Sequence, residues 1–305
     1  MTSSDAFPKK LDDVTGNRPA IREITDAVMS AKHRQVAAPH MLFTGPPGTG
    51  KTSLSRLVSQ EMGSRFVYLM GPSISRKQNV SLTLLNLDEN DILMIDEIHA
   101  LDRQAAETFY DAMLNFQLSV VSDDASITTI PLKPFTMIGA TTSPGMISPA
   151  LRQRFRQIRM TLYTPDELMT ILSSYASYKG IGIDMDSIAT IAMRSRGTPR
   201  IACGFLDRSL DLALSRHGRD WISMSDVLVM FEESGIRDDG CGPDDILYLD
   251  TLKNSFNGGP AGISSIASVM GMDQKHVRDE IEPWLVSLGL IERKPRGRVL
   301  SGEIS

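Results

Sequence analysis

Between residues 41 and 138 the chain alternates short apolar runs with longer stretches whose apolar positions recur at helical spacing. Met41-Leu42-Phe43-Thr44, Phe66-Val67-Tyr68-Leu69, Ile92-Leu93-Met94-Ile95 and Phe135-Thr136-Met137-Ile138 each have the length of one short strand. A strand with one face in water would alternate apolar and polar residues, whereas these are nearly continuous, so both faces must be covered. Strands of that kind, interleaved with helices, predict an α/β fold built on a buried parallel sheet over residues 1–160.

The period then changes. Over residues 161–235 it is helical, with Leu168, Ile171, Leu172 and Tyr175 on one face, then Ile188, Ile191 and Ala192, then Leu206, Leu210 and Leu214. A small helical domain is expected there. Asp238-Asp239-Gly240-Cys241-Gly242-Pro243 interrupts the pattern as a linker would. In the last block, 236–305, helices are expected at 245–256, at 263–270 closed by Gly271, and at 274–288 closed by Gly289. Residues 290–293 and 298–301 can pair across Lys294-Pro295-Arg296-Gly297. Three helices followed by a basic hairpin make a winged-helix pattern.

Bulk composition narrows the function classes. The 305 residues are 41% hydrophobic and 23% charged, and 32 Lys+Arg against 37 Asp+Glu leave a net charge of −5. A chain of that sign does not coat nucleic acid through overall charge, so any DNA contact must be local. Met1-Thr2-Ser3-Ser4-Asp5 lacks the basic flank and apolar run of a signal peptide, and no apolar stretch nears the roughly 18 residues that span a bilayer. A cytoplasmic protein without membrane partners is expected. Cys203 and Cys241 have no Cys-x-x-Cys spacing, so neither redox nor zinc chemistry is signalled, and the 17 Met read as core filler.

Candidate chemistry sits at the ends of the apolar runs. Gly45-Pro46-Pro47-Gly48-Thr49-Gly50-Lys51-Thr52 is a complete G-x-x-x-x-G-K-[ST] loop between a strand and the amphipathic stretch 53–62. The glycines let backbone N–H groups converge on phosphates, Lys51 suits the β/γ oxygens of ATP, and the Thr52 hydroxyl suits Mg²⁺. Asp96 and Glu97 end the run 92–95, where strand C-termini in α/β sheets meet ligands. Asp96 suits Mg²⁺ as well, and Glu97 suits activation of water for hydrolysis. Thr141 and Thr142 end another run, placed either to sense a γ-phosphate or to start a turn. His99, just beyond, is expected to be structural because Glu97 already fills the role of base.

Two arginine-rich stretches remain. Arg152, Arg154, Arg156 and Arg159 either form a solvated basic face or include a residue that serves a γ-phosphate. Arg200 follows Gly197-Thr198-Pro199 at a helix start, where a cation opposes the dipole unless an anion sits there. At the far end Arg293, Lys294, Arg296 and Arg298 cluster on the predicted wing and suit sequence-independent phosphate contact with DNA. The helix before them is a poor base reader, because Lys275, His276 and Arg278 are offset by Asp279, Glu280 and Glu282.

Gly-Pro-Pro-Gly-Thr-Gly-Lys-Thr, Ile-Asp-Glu-Ile-His, Ile-Gly-Ala-Thr-Thr, Leu-Arg-Gln-Arg-Phe and Arg-Gly-Thr-Pro-Arg-Ile-Ala occur in one order that resembles the AAA+ ATPases. Arg-Ser-Arg-Gly-Thr-Pro-Arg-Ile-Ala and the tail motifs Gly258–Gly262, Glu282-Pro283-Trp284-Leu285 and Lys294-Pro295-Arg296-Gly297-Arg298 are similar to the RuvB family of Holliday-junction branch-migration motors. The resemblance spans nearly the whole chain. It implies an AAA+ ATPase domain over 1–160, a helical lid over 161–235 and a winged helix over 236–305, assembled as a hexameric ring around duplex or junction DNA. It also implies Lys51 and Thr52 as Walker A, Asp96 and Glu97 as Walker B, and Thr141 or Thr142 as sensor 1. Arg154 matches the finger acting in trans and Arg200 the cis sensor 2, while Tyr163 and Pro199 match adenine-pocket positions.

Three departures from the family pattern stand out. Phe7 replaces an Arg before Pro8 in the N-terminal adenine-binding segment. Segment 119–133, which in the family carries the hairpin that grips a RuvA partner, is shorter and contains Asp123-Asp124. The chain also ends soon after Pro-Arg-Gly-Arg, which predicts a divergent, C-terminally short member. The altered hairpin keeps a second function in view, a nucleotide-switched assembly factor that loads or recruits another helicase or nuclease.

Overall fold

Read from the N-terminus, the computed structural model, which describes residues 8–74, 77–121 and 127–301, runs α1 (Arg18–Arg34), β1 (Met41–Thr44), α2 (Lys51–Met62), β2 (Phe66–Met70), α3 (Lys77–Leu85) and β3 (Ile92–Asp96). It continues through α4 (Arg103–Asn115), β4 (Gln117–Val121), β5 (Ile127–Pro131), β6 (Thr136–Thr141), α5 (Pro149–Arg152) and β7 (Arg156–Arg159). Five of these strands form one parallel sheet in the order β2-β3-β6-β1-β7. Alternate residues of one strand feed opposite cores. Met41 and Phe43 pack with α1 and α2 residues such as Ile24 and Leu57, whereas Leu42 packs with α3 and α4 residues such as Leu84 and Phe109. Burial on both faces is why β1, β3 and β6 read as unbroken apolar runs. The register sets Thr44 beside Thr141 and Met70 beside Asp96, so the C-terminal ends of β1, β3 and β6 share one edge of the sheet.

One strand of the five-stranded sheet escaped the sequence reading, as did the two-residue strands Gly182–Ile183 and Trp221–Ile222 of the helical domain. Arg156-Gln157-Ile158-Arg159 is β7, an edge strand paired only with β1, and of its four side chains only Ile158 is buried. A strand that buries one residue leaves no apolar run, and its exposed cations discourage further edge pairing. The hairpin β4–β5 pairs Gln117 with Pro131 through Val121 with Ile127. Phe7 and Asp123-Asp124 lie outside the described residues.

The chain divides into two compact units, Met1–Tyr163 and Thr164–Ser305. The second begins with α6 (Pro165–Lys179), β8 (Gly182–Ile183), α7 (Met185–Arg194), α8 (Pro199–His217), β9 (Trp221–Ile222) and α9 (Met224–Glu233). Thr164 and Glu167 close a capping box at the start of α6, with Pro165 at its first position. On α8 the buried stripe is Ala202, Leu206, Ser209 and Ala213, and the expected core residue Leu214 is exposed. Four-residue steps advance 400° around a helix, so the series 206, 210, 214 drifts off the face that mixed steps of three and four keep.

The remainder is α10 (Pro243–Asn254), α11 (Ile263–Met270), α12 (Gln274–His276), α13 (Glu282–Ser287), β10 (Ile291–Lys294) and β11 (Gly297–Leu300). These elements enclose their own core of Tyr248, Leu252, Ile266, Val277, Ile281, Leu285 and Ile291. The third helix is interrupted where the sequence predicted one span over 274–288: residues Val277–Ile281 form a wider π turn. Pro283 explains it, since its ring cannot donate to the carbonyl four residues back and would collide with it. The antiparallel hairpin turns over only Pro295 and Arg296, tighter than the four-residue connection expected, and Ala261 bridges to Arg298 on its other side.

Candidate functional site

The phosphate loop is set by backbone conformations that demand glycine. Gly45, Gly48 and Gly50 have φ of 149°, 73° and 94°. A Cβ at Gly45 would lie 2.3 Å from the Met160 carbonyl oxygen, so only glycine lets the loop leave β1 beside the end of β7. Thr49 is fully buried and donates its hydroxyl to the Pro46 carbonyl at 2.9 Å. The Lys51 ammonium, at the start of α2, donates to the carbonyls of Gly45 at 2.9 Å and Pro46 at 2.7 Å, which aims it into the loop's concavity. Tyr163 is buried and donates its phenol to the Thr49 carbonyl at 3.1 Å.

Asp96 and Thr52 meet although 44 positions separate them: the Thr52 hydroxyl donates to Asp96 Oδ2 at 3.1 Å. Two hard oxygen donors side by side are what Mg²⁺ takes from a protein when phosphate oxygens and water complete its shell. Among the described residues no group of three or more His, Cys, Asp or Glu is placed to hold a metal ion. The Tyr68 phenol also reaches Asp96 Oδ2, at 3.3 Å, and burial together with the Asp96 charge holds its ionisation above the ordinary tyrosine range.

Glu97 occupies left-handed backbone space at φ 51°, unusual for a residue with a side chain. Gly71 accommodates it, since a Cβ there would sit 2.4 Å from the Glu97 carbonyl oxygen. The bend turns the Glu97 side chain toward His99, whose Nδ1 lies 3.3 Å from Glu97 Oε2 and 2.9 Å from the Thr141 hydroxyl. Thr141 is fully buried and accepts the Ser143 N–H at 2.9 Å, whereas Thr142 enters none of these contacts. The strand ends thus gather Lys51, Thr52, Asp96, Glu97 and Thr141 on one edge. Neutralising, ligating, proton-accepting and hydrogen-bonding groups around a phosphate loop are what phosphoanhydride hydrolysis requires.

Arg154 stands exposed at the end of α5, its Nη2 3.0 Å from the Tyr110 hydroxyl and its guanidinium 5.1 Å from that ring's centre. Within the second unit, Pro199 is the first residue of α8 and Arg200 the exposed second, a cation against the helix dipole. The two arginines before them face the opposite way. Arg194 stacks 4.6 Å over Phe231 and pairs with Asp238, and Arg196 pairs with buried Asp245 and donates to the Gly240 carbonyl at 2.9 Å.

The wing separates its four cations. Arg298 turns inward, with Nε 2.8 Å from Glu282 Oε1 and Nη2 3.2 Å from Oε2, and Arg293 Nε lies 2.9 Å from the same carboxylate. Glu282 is fully buried and also accepts the Tyr248 hydroxyl at 3.0 Å. Lys294 pairs with Glu292 at 3.2 Å on the surface, and Arg296 is exposed at the turn. On the preceding helix Arg278 is engaged by Asp279 at 2.7 Å and His276 lies 3.6 Å from Asp244.

Residues 6–161 match the family described as the Holliday junction DNA helicase RuvB P-loop domain, 163–225 the RuvB AAA lid domain, and 238–303 the RuvB C-terminal winged helix domain. A Holliday junction branch migration complex subunit RuvB from Rhodococcus erythropolis is 41% identical over 301 residues, 96% of this chain and 81% of that protein. Its counterpart in Chlorobium luteolum is 36% identical over 96% of this chain and 86% of its own length. Among solved structures, a mutant of Thermotoga maritima RuvB superposes with a TM-score of 0.90 at 33% identity, covering 97% of this chain and 96% of that one. The chain belongs to the RuvB family.

As a RuvB-family P-loop domain it has the AAA+ fold the motifs implied, and it carries features around the loop that the motifs did not reveal. Asn17, left-handed at φ 47°, accepts the Thr161 N–H at 2.7 Å and donates to the Thr161 carbonyl at 3.1 Å, tying the segment before α1 to the one that ends in Tyr163. Gly16-Asn17 before Arg18-Pro19 was the available signal, a left-handed-tolerant residue ahead of a helix start. His99, expected to be structural, is a buried ring in contact with Glu97 and Thr141, a placement that only the fold provides by setting the ends of β3 and β6 side by side. Burial pushes the Cys203 thiol up to about 11 and the Cys241 thiol to about 12, which leaves both protonated. Among the described residues no helix is long and apolar enough to cross a membrane.

Proposed function

We propose that this chain is an ATP-hydrolysing motor that moves duplex DNA in Holliday-junction branch migration, as the names of its RuvB relatives describe for them. The observation that carries the reading is the shared edge where Thr52 meets Asp96 and where His99, hydrogen-bonded to Thr141, lies 3.3 Å from Glu97. Lys51 neutralises the β/γ oxygens, and the loop N–H groups hold the phosphates at the start of α2. Mg²⁺ bound by Thr52 and Asp96 supplies charge neutralisation of the phosphoryl oxygens. Glu97 takes a proton from the attacking water, a contribution of about 10²–10⁴ in rate. Thr141 holds the water or the γ-phosphoryl oxygen.

The assignments beyond that edge rest on family resemblance and local geometry. The ATPase domain is assigned to 1–160, the lid to 161–235 and the winged helix to 236–305. Arg154, exposed and presented on the Tyr110 ring, acts on the nucleotide of a neighbouring subunit in a hexamer. Arg200 acts in cis, with Tyr163 and Pro199 beside the adenine. DNA phosphates meet Lys294 and Arg296, while Arg293 lends part of its exposed surface. The β4–β5 hairpin is the contact for a RuvA-like partner.

ATP turnover titrated with duplex, single-stranded and four-way-junction DNA at two salt concentrations tests the reading. Salt-sensitive stimulation by duplex and junction DNA, lost in Lys294→Ala/Arg296→Ala, is the expected result. Turnover indifferent to every DNA would overturn the motor in favour of a nucleotide-switched assembly factor.

A further inference from the structure

We infer that His99 is a positioning residue of the hydrolytic centre, fixing Glu97 and Thr141 relative to one another through an Nδ1-protonated tautomer. The inference rests on the roles proposed above for those two residues.

The argument is one of counting donors and acceptors. Nδ1 faces two oxygens, Glu97 Oε2 at 3.3 Å and Thr141 Oγ1 at 2.9 Å, from a ring whose side chain is 3% exposed. A carboxylate oxygen only accepts. A bare Nδ1 on this water-shielded ring would therefore set its lone pair 3.3 Å from a Glu97 oxygen, a repulsive contact even with the Glu97 side chain 34% exposed. An Nδ1–H donates to the Thr141 hydroxyl and presents its positive end to the Glu97 carboxylate 3.3 Å away.

The tautomer also decides what Thr141 can do. Its hydroxyl oxygen already accepts the Ser143 N–H at 2.9 Å. A bare Nδ1 would draw the hydroxyl hydrogen onto itself and leave Thr141 nothing to donate. With the hydrogen on Nδ1, the Thr141 O–H stays available to a γ-phosphoryl oxygen or to the attacking water. Oε2 of Glu97 then faces the imidazole at 3.3 Å, which leaves Oε1 to meet water. Glu97 and Thr141 close neighbouring strands, β3 and β6, so one imidazole sets the spacing between base and sensor. The strained backbone of Glu97, admitted by Gly71, is what turns its carboxylate onto the ring.

Two measurements test this on the full chain. In the first, kcat, KM and binding of a non-hydrolysable ATP analogue are compared for His99→Phe, His99→Asn, Glu97→Gln and the double variant His99→Phe/Glu97→Gln. His99→Phe keeps ring volume without a donor, and a loss of about 10²-fold in kcat with unchanged analogue binding is expected from a displaced base. His99→Asn, whose amide N–H reaches the same region, restores part of that loss, and in the Glu97→Gln background His99→Phe costs little more because the two act as a unit. Wild-type kcat in His99→Phe while Glu97→Gln is inactive would overturn this inference alone. Full turnover in Glu97→Gln would instead remove the assignment of the base. The second measurement needs no variant: imidazole ¹⁵N chemical shifts of the wild-type protein report the tautomer. A protonated Nδ1 at His99 is expected, and a hydrogen on Nε2 only would overturn the proposal.

Discussion

The phosphate loop and the wing are both recognised in the sequence by charged residues in short motifs, yet the fold uses those charges differently. At the loop, Lys51, Thr52, Asp96 and Glu97 all end on one edge of the sheet, because a parallel strand delivers its last side chains to the same place whatever precedes them. At the wing, Arg293, Lys294, Arg296 and Arg298 occupy a two-stranded hairpin that sends alternate residues to opposite faces, so Arg298 and Arg293 converge on buried Glu282 while Arg296 sits at the turn. Spacing that encodes a backbone conformation survives folding as a site. A count of cations does not, since a buried carboxylate elsewhere in the chain can claim some of them.

If loop-side charges are kept for chemistry, removing one costs rate and little stability. Arg154→Ala is expected to lower ATP turnover by about 10³–10⁵-fold while nucleotide binding and the melting temperature stay near wild type. Mixing Arg154→Ala with Lys51→Ala protomers would restore part of the turnover, because one supplies intact nucleotide sites and the other intact fingers. A large fall in melting temperature for Arg154→Ala would place it with the wing arginines instead.

The opposite pattern is expected of Arg298. Arg298→Ala leaves the fully buried Glu282 with Arg293 and Tyr248 alone, and should destabilise the second unit by about 3 kcal/mol. Both tryptophans of the chain, Trp221 and Trp284, lie in that unit, so a fluorescence-detected melt reads the effect directly. An unchanged melt would mean that Arg298 is a surface residue after all.

Acid acts on the two units through different groups. His40 precedes β1, its ring packed among Phe116, Phe135 and Phe155 with Nδ1 accepting the Met137 N–H at 2.8 Å, and burial pulls its pKa down to about 4. The unfolded chain binds that proton first, so stability of the first unit falls as pH drops from about 6.5 to 4, by about 3 kcal/mol in all. In the second unit burial raises the Asp245 pKa against the opposing pull of Arg196, so protonation there favours the native state. At Asp226 burial is outweighed by hydrogen bonds from Ser223 and the Arg219 charge, which lower its pKa, so the two carboxyls oppose one another on acidification. Far-UV dichroism of the whole chain is expected to show an acid-labile transition that tryptophan fluorescence does not follow. Coincident transitions shifting together between pH 6.5 and 4.5 would contradict both assignments.

How far the sequence was legible follows the same division. The strands β1, β3 and β6 could be read because burial on both faces writes a continuous apolar run, β2 because its residues are apolar although this edge strand leaves Tyr68 and Met70 exposed, and the loop because its glycines answer to φ values no other residue holds comfortably. β7 could not, since one buried Ile158 among three polar residues makes no pattern. The pairing of Arg298 with Glu282, and the contact of His99 with Thr141, 42 positions on, depend on which elements become neighbours. Residue type records that a charge or a ring is present, and only the packing decides whether it faces solvent, substrate or another side chain.

The smallest expected effect is the one that bears most directly on DNA. Arg296 is exposed at the hairpin turn and, among the described residues, Lys294 pairs with the exposed Glu292, a surface pair of the kind worth about 0–1 kcal/mol, so neither is needed for folding. Arg296→Ala should leave the tryptophan-detected melt unchanged, weaken duplex binding for every DNA sequence alike, and reduce the slope of log affinity against log salt by about one. Lys294→Ala should do the same, and the pair together should change the slope by about two, because each phosphate neutralised releases its counterions independently. A slope that changes in Arg298→Ala but not in Arg296→Ala would reverse the division of labour on the wing, and with it the claim that its buried cations hold the fold while its tip meets the phosphates.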